Sequence, residues 1–307
     1  MNKPERQTRS YLMGLFRERG FHPRTDLGQN FLIDLNIIEF IVEKAELGPN
    51  DVVLEVGAGT GGMTTYLAQG AGDVISVEID PRVYPLAKEA TSAYENVTLI
   101  HGDALKDKNH FAPEVLEAIH AKLAVHPDRK LKLIANLPYC IGTPVITNLV
   151  YSDLPWSQMI ITIQRELADR MQAKPSSEDY GALSVWLQSQ CNVRIIRKLG
   201  PAVFWPRPGV DSAVVRILPD TKRAEQIVDR EFFHDFNRRL FTQRRKLARS
   251  VLVGMYRKEL TKPMMDAILK TLEIPEGVRA EDLDVPTLVR VCNAVQEAVK
   301  VAVTQTA

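Results

Sequence analysis

A chain of 307 residues exceeds what one hydrophobic core usually serves, so a large domain with a smaller one is expected, and 45% apolar with 25% charged residues excludes a disordered chain. Three cysteines, Cys140, Cys191 and Cys292, stand far apart without a CxxC pair, which argues against a structural zinc site or a disulfide framework and fits a reducing cytoplasm. A formal net charge of +1 decides nothing about nucleic acid, because partners read local patches, whereas the lack of an apolar leader or bilayer-length stretch argues against secretion and membrane insertion.

The leading segment, residues 1–26, is a basic extension with Lys3, Arg6, Arg9, Arg17, Arg19 and Arg24 against Glu5 and Glu18. It is either a solvated face or an arm for phosphates. From Asp51 to Leu218, short β-branched runs alternate with helical stretches, the pattern of a doubly wound α/β domain. Val52 to Val56 is the first buried strand. Glu55-Val56-Gly57-Ala58-Gly59-Thr60-Gly61 then opens a helix, and its glycines let the backbone turn tightly beside a ligand. Such a turn serves a dinucleotide, an adenosyl ligand or only the turn itself.

Glu78 ends the second strand, Val74 to Val77, and an acid there can accept hydrogen bonds from both ribose hydroxyls of an adenosine. Gly102-Asp103-Ala104 follows the third strand, Val97 to Ile100. Asp103 is a turn or capping residue, or an acceptor for the amino group of an adenine ring. Three such features at consecutive strand ends favour a nucleotide-like ligand, since open α/β sheets bind ligands at that edge. The connection from Lys106 to Arg129 carries Val115, Leu116, Ile119 and Leu123 at helical spacing, read as packing.

After the fourth strand, Leu131 to Ala135, stands Asn136-Leu137-Pro138-Tyr139. The exocyclic amine of adenine is a weak nucleophile because its lone pair is delocalised into the ring. The side-chain oxygen of Asn136 and the carbonyl of Leu137 can each accept an N–H and aim the lone pair at a methyl donor. Pro138 sets the turn, and Tyr139 offers a ring for stacking, worth roughly 1–3 kcal/mol per base. Catalysis by positioning and fixed dipoles needs neither a metal nor a covalent nucleophile. Met159 to Ile163, Val193 to Leu199 and Ala213 to Leu218 complete the strands, with the stiff Pro201 to Pro208 stretch between the last two. Beyond Pro219, Ile227 to Tyr256, Pro263 to Leu272 and Thr287 to Val301 show helical periodicity, so the boundary falls there: 27–219 for the catalytic domain and 220–307 for a helical one.

With these motifs the chain resembles the ribosomal RNA small-subunit adenine N6,N6-dimethyltransferase family, which includes the bacterial kasugamycin-linked dimethyladenosine transferases. The match runs from about Leu27 to Ser250. Leu27-Gly28-Gln29-Asn30-Phe31-Leu32 is similar to the family's opening signature, which implies that Asn30 and Leu32 contact the cofactor. The resemblance implies the same for Gly57, Gly59, Glu78, Asp103 and Asn136. Phe204-Trp205-Pro206-Arg207-Pro208 and the following Val210 to Arg216 resemble the stretch before the last strand, which makes Phe204 a candidate for closing over the target base. Gln243-Arg244-Arg245-Lys246 with Leu247 and Arg249 looks like the family's basic helix, which the erythromycin-resistance methyltransferases of large-subunit RNA lack. The fold implied is α/β, a Rossmann-like class I methyltransferase sheet with a small C-terminal all-α domain. The activity implied is S-adenosyl-L-methionine-dependent dimethylation of the N6 amino groups of two adjacent adenosines in the 3'-terminal hairpin of 16S ribosomal RNA. A cytoplasmic monomer acting on RNA in an immature 30S particle is expected, with a role in small-subunit biogenesis and with no membrane or metal partner.

Two departures stand out. Ala58 and Thr60 replace the usual Pro and Leu of the glycine loop, and Cys140 and Gly142 replace an Asn and a Ser after Tyr139. Cys140 is read as a small buried filler ahead of a reactive thiol. On one continuous helix, Arg238, Arg245 and Arg249 share a face with Thr242, while Phe236, Leu240, Leu247 and Val251 turn inward. With Arg244 and Lys246 that face would bind phosphates without reading sequence. The competing readings are a non-catalytic RNA-binding assembly factor that kept the cofactor fold, a large-subunit RNA enzyme, and a small-molecule or DNA adenine methyltransferase. The complete acceptor motif argues against the first and the basic carboxy-terminal cluster against the last.

Overall fold

In the computed structural model, which describes residues 6–24 and 26–306, Thr8 caps the first helix by accepting a hydrogen bond from the Tyr11 amide. Lys3 and Glu5 lie outside the described residues. Helix α1 (Arg9–Glu18) is amphipathic: Leu12 and Phe16, four residues apart, are buried with Phe31, Val83 and Leu86. Arg9, Arg17, Glu18 and Arg19 stay exposed on the solvated face that their charge suggests, while the opposite face, with Leu12 and Phe16, is buried. Burial of those two side chains, worth roughly 1.5–3 kcal/mol each, fixes the helix to the domain.

The chain continues through β1 (Phe31–Leu32) and α2 (Leu35–Ala45), whose start Asp34 caps by accepting from the Asn36 amide. Then follow β2 (Asp51–Val56), α3 (Gly62–Gly70), β3 (Asp73–Glu78), α4 (Tyr84–Thr91) and β4 (Val97–His101). The long connection holds a hairpin absent from the sequence reading, β5 (Leu105–Asp107) with β6 (His110–Phe111), and then α5 (Pro113–Leu123), which buries Val115 and Ile119 as its spacing requires. Next come β7 (Lys130–Asn136), α6 (Gly142–Tyr151), β8 (Trp156–Gln164), α7 (Arg165–Met171), α8 (Ala182–Gln188), β9 (Cys191–Leu199), β10 (Phe204–Trp205) and β11 (Ser212–Pro219). The helices α9 (Thr221–Ala224), α10 (Arg230–Phe241), α11 (Ala248–Met255), α12 (Lys262–Thr271) and α13 (Val285–Thr306) end the chain.

The central sheet has seven strands in the order β4-β3-β2-β7-β8-β11-β9. The pairs from β4 to β8 are parallel and β11 runs antiparallel to β8. The chain winds outward in one direction from β2 and in the other from β7. Their shared end is thus the topological switch point at which open sheets of this kind bind ligands. The β-branched residues of β2, β3 and β7 are almost wholly buried, as a sheet covered on both faces requires.

Two compact units result: one runs through Ala168 and takes up again at Arg194–Leu218, and the other joins Asp169–Val193 to the chain from Pro219 on. The second unit thus includes a stretch that the sequence reading gave to the catalytic domain. Tyr180 donates to the Leu283 carbonyl at 2.9 Å, Asn237 donates to the Ala182 carbonyl at 2.8 Å, and Trp186 stacks on Phe233, all contacts between residues far apart in the chain.

The helix expected from Ile227 to Tyr256 is broken. After Phe241 the chain turns, and Leu247, 44% exposed instead of inward, bridges to Arg279 while the Ala248 amide donates to the Val278 carbonyl. Pairing with a distant segment replaces the helical ladder there. Among the described residues no helix is long and apolar enough to cross a membrane.

Candidate active site

The end of β2 enters the glycine turn, where the amides of Gly57 and Ala58 both donate to the Val77 carbonyl at 2.9 and 3.0 Å and so tie the turn to the end of β3. Gly57 and Gly59 have φ of +88° and +56°. A Cβ at Gly57 would lie 3.2 Å from the Pro138 ring, so glycine here lets the Asn136-to-Tyr139 turn close in. The Gly59 amide donates to Glu78 Oε2 at 2.7 Å, and the Asp80 amide donates to Oε1 at 2.9 Å. Glu78 is thereby aimed into the cavity with lone pairs to spare. Burial pushes its carboxyl up to about 6, against the pull of those backbone donors.

Behind it Glu55 is fully buried. The hydroxyls of Thr64 and Ser76 both donate to its Oε2 at 2.6 Å, Oε1 has no partner among the described residues, and burial pushes the carboxyl up to about 7. At the neighbouring strand end Asp103 Oδ1 accepts from the Leu105 amide at 2.9 Å, so it serves its turn and also lines the cavity.

Asn136 is the last residue of β7. Its Nδ2 donates to the Asn30 carbonyl at 2.8 Å, which turns the amide oxygen toward other donors. The segment bearing Asn30 is itself held: Asn30 donates to the Gly28 carbonyl, and Gln29 donates to Asp80 Oδ2 at 2.9 Å.

One cavity brings together Asn30, Gly57, Gly59, Glu78, Asp103, Asn136 and Pro138 of the expected site residues. Leu32, Leu137, Tyr139 and Phe204 do not line it. Strands β1 and β10 pair with Phe31 opposite Trp205 and Leu32 opposite Phe204. Alternation then sends Leu32 and Phe204 into the core around Ile37, Ile41 and Val214, leaving Phe204 1% exposed, whereas Phe31 faces the cavity. Phe204 thus packs the core and does not lie over the site, and Phe31 stands where Leu32 was expected. Tyr139 is half-buried beside the cavity, its hydroxyl 2.7 Å from Ser212 Oγ, and burial raises its pKa.

Cys140 is exposed and forms part of the rim, which overturns its reading as a buried filler: the turn between β7 and α6 carries it outward. A Cβ at Gly142 would make only ordinary contacts, 3.6 Å to Leu167 and 3.7 Å to Ile163, so the missing serine leaves the wall's shape unchanged.

Residues missed by sequence reasoning include Gln29, Phe31 and Ile79 in the wall, and Gln7 behind it. Ile79 is an isoleucine 44% exposed directly after the acid of β3, an apolar residue placed where a flat ring can lie. Buried Gln7 donates to the Thr60 carbonyl at 2.9 Å and accepts from the Thr60 hydroxyl. Threonine in place of leucine in the loop is therefore matched by a polar partner from the leading segment.

The donor set selects among nucleotide-like ligands. Glu78 and Asp103 line the cavity, and among the described residues no lysine or arginine does. The Gly59 amide that a phosphate would seek is occupied by Glu78. A pyrophosphate would meet two acids and, among the described residues, no cation, whereas an adenosyl group on a cationic sulfonium meets acceptors for its hydroxyls and amine and no like charge.

A doubly wound sheet with an antiparallel strand inserted before its edge, and an acid-lined cavity at its switch point, defines a Rossmann-like class I methyltransferase using S-adenosylmethionine. The crystal structure of a dimethyladenosine transferase from Plasmodium falciparum has this fold at a TM-score of 0.71, with 23% identity, covering 86% of this chain and 97% of that one. That of the 23S rRNA methyltransferase ErmE has it at 0.62, with 24% identity, covering 87% and 100%.

The profile of the family described as ribosomal RNA adenine dimethylase matches residues 20–296, and the chain belongs to that family. Similar relatives include the ribosomal RNA small subunit methyltransferase A of Listeria monocytogenes serotype 4b, 35% identical over 282 residues, 91% of this chain and 92% of the relative. The protein of the same name from Moorella thermoacetica is 40% identical over 235 residues, 76% of this chain and 80% of the relative.

Proposed function

We propose that this enzyme transfers methyl groups from S-adenosylmethionine to the N6 amino groups of adenosines in small-subunit ribosomal RNA, giving N6,N6-dimethyladenosine. The observation that carries the reading is Asn136, whose amide is tethered through its N–H to the Asn30 carbonyl in the cavity that Glu78 and Asp103 line. The names of the relatives, small subunit methyltransferase A, support the choice of RNA. Glu78 would hold the ribose and Asp103 the adenine amine of the cofactor, which would supply an electrophilic methyl group. The Asn136 oxygen and the Leu137 carbonyl accept the N–H bonds of the target amine and keep its lone pair in line. Each methyl accepted would cost the target amine one proton, so both oxygens can hold it for the first transfer and one N–H remains to be held for the second. Tyr139, its ring anchored through Ser212, supplies the stacking face. The target pair is two adjacent adenosines of the 3'-terminal hairpin, met by a monomer on an immature 30S particle, so that methylation accompanies small-subunit biogenesis.

Arg245 and Lys246 are exposed on the turn after α10, and Arg238 is exposed while paired with Asp235 at 2.8 Å. Arg244 is committed to the Glu178 and Tyr180 carbonyls at 2.8 Å each, and Arg249 to Asp266 through two hydrogen bonds. Phosphate contact then falls chiefly on Arg245 and Lys246.

With labelled methyl donor and unmethylated small subunits, label is expected as N6,N6-dimethyladenosine in 16S RNA. Arg245→Ala with Lys246→Ala should weaken RNA binding and lower its salt slope by about 1.5 to 2, with cofactor affinity unchanged. Label confined to large-subunit RNA, or binding without transfer, would select a rival reading.

A further inference from the structure

A second cavity, of about 310 Å³, lies between α1 and β10, with Phe16, Phe21 and Trp205 supplying rings and Met13, Arg17 and His22 completing the wall. We propose that it binds an unpaired base of the RNA substrate next to the adenosine being methylated, an inference that rests on the RNA reading above.

The rings form an angular set. Phe16 stands edge-on to Trp205 at 5.2 Å and 89°, and Phe21 is tilted 59° against Phe16 at 4.6 Å. Phe16 is buried and backs the wall, so the partly exposed Phe21 and Trp205 offer the faces on which a flat heteroaromatic ring can lie. At about 310 Å³ the cavity has room for a flat ring.

The charge is opposite to that of the cofactor cavity. Among the described residues no acid lines this one, and Arg17 and His22, both exposed, stand where a backbone phosphate would follow a bound base. Arg82 lies over the Phe21 ring at 5.6 Å, but its charge is engaged by Asp80, so among the described residues the free positive charge of the lining rests on Arg17. An anionic chain of flat bases fits this lining, whereas an acidic peptide offers charge without rings.

The site is continuous with the reaction centre. Trp205 stacks on Phe31 at 6.3 Å, and Phe31 walls the cofactor cavity, so one aromatic partition separates the two. It is also preformed: the bonds between Gln7 and Thr60, with buried Leu12 and Phe16, hold α1 against the domain without RNA. The helix that sequence reading leaves as a charged extension is thus half of a binding site.

The test uses the full chain and a fluorescently labelled single-stranded oligoadenylate RNA, with methyl transfer to unmethylated small subunits measured in parallel. Phe21→Ala should weaken oligonucleotide binding about tenfold and raise the KM for subunits by a similar factor, with kcat and cofactor Kd unchanged. Phe21→Tyr should restore both. Arg17→Ala with His22→Ala, at exposed positions, should weaken binding several-fold and reduce its salt dependence without altering thermal stability. Wild-type protein that fails to bind the oligonucleotide, or binding equal in wild type and all variants, overturns the proposal. Variant-sensitive binding without any methyl transfer upholds the cavity and overturns the proposed activity instead.

Discussion

Replacing Asn136 with alanine is expected to lower kcat for methyl transfer to small subunits by about 10²–10³, the usual cost of removing one fixed dipole aimed at the reacting group. Cofactor affinity should fall by much less. The substitution also deletes the bond from Nδ2 to the Asn30 carbonyl, and a neutral hydrogen bond contributes about 0.5–1.5 kcal/mol. Single-turnover rates at saturating cofactor separate the two effects. A single-turnover rate near that of the wild type would remove Asn136 from the chemistry and leave it a tether for the 27–31 segment.

The second large effect concerns stability and pH. Glu55 keeps its proton in the folded chain up to about 7, against an ordinary value of 4.5, because burial outweighs the hydroxyls of Ser76 and Thr64. Between those values the folded state binds more protons than the unfolded one, so stability falls as pH rises through that window and levels off above it. The span corresponds to a loss on the order of 3 kcal/mol. Glu78, pushed up to about 6, adds a smaller loss in the same direction. In urea titrations at pH 5, 6, 7 and 8, Glu55→Gln should flatten the decline by about 2.5 kcal/mol, the part of the span that falls in this range, because the amide does not titrate. An identical decline in wild type and variant would show that Glu55 ionises freely in the folded protein.

Glu78 and Asn136 were readable because each directly follows an apolar run, and Asp103 because it stands in the turn just after β4; a doubly wound sheet gathers such ends at one edge. Helix α1 was not, because Arg9, Arg17, Glu18 and Arg19 outnumber the Leu12 and Phe16 that decide its placement. The two-residue strands β1 and β10 are too short for alternation to show in the chain, so Phe31 and Leu32 exchanged their expected roles, and Phe204 went to the core. The break at Leu247 and the transfer of 169–193 to the second unit depend on Arg279, Leu283 and Phe233, partners that no local window contains. Charge misled where pairing decides: Arg244 and Arg249 belong to the basic run in sequence, yet one ties the carbonyls of Glu178 and Tyr180 and the other holds Asp266.

The arrangement as a whole requires methyl donor and acceptor amide to share one cavity. A crystal structure with S-adenosylhomocysteine bound tests this most directly. The ribose hydroxyls are expected on Glu78, the adenine beside Ile79 with its amine toward Asp103, and the sulfur facing Asn136. A ligand seated elsewhere, or an Asn136 side chain turned away from the sulfur, would contradict the account.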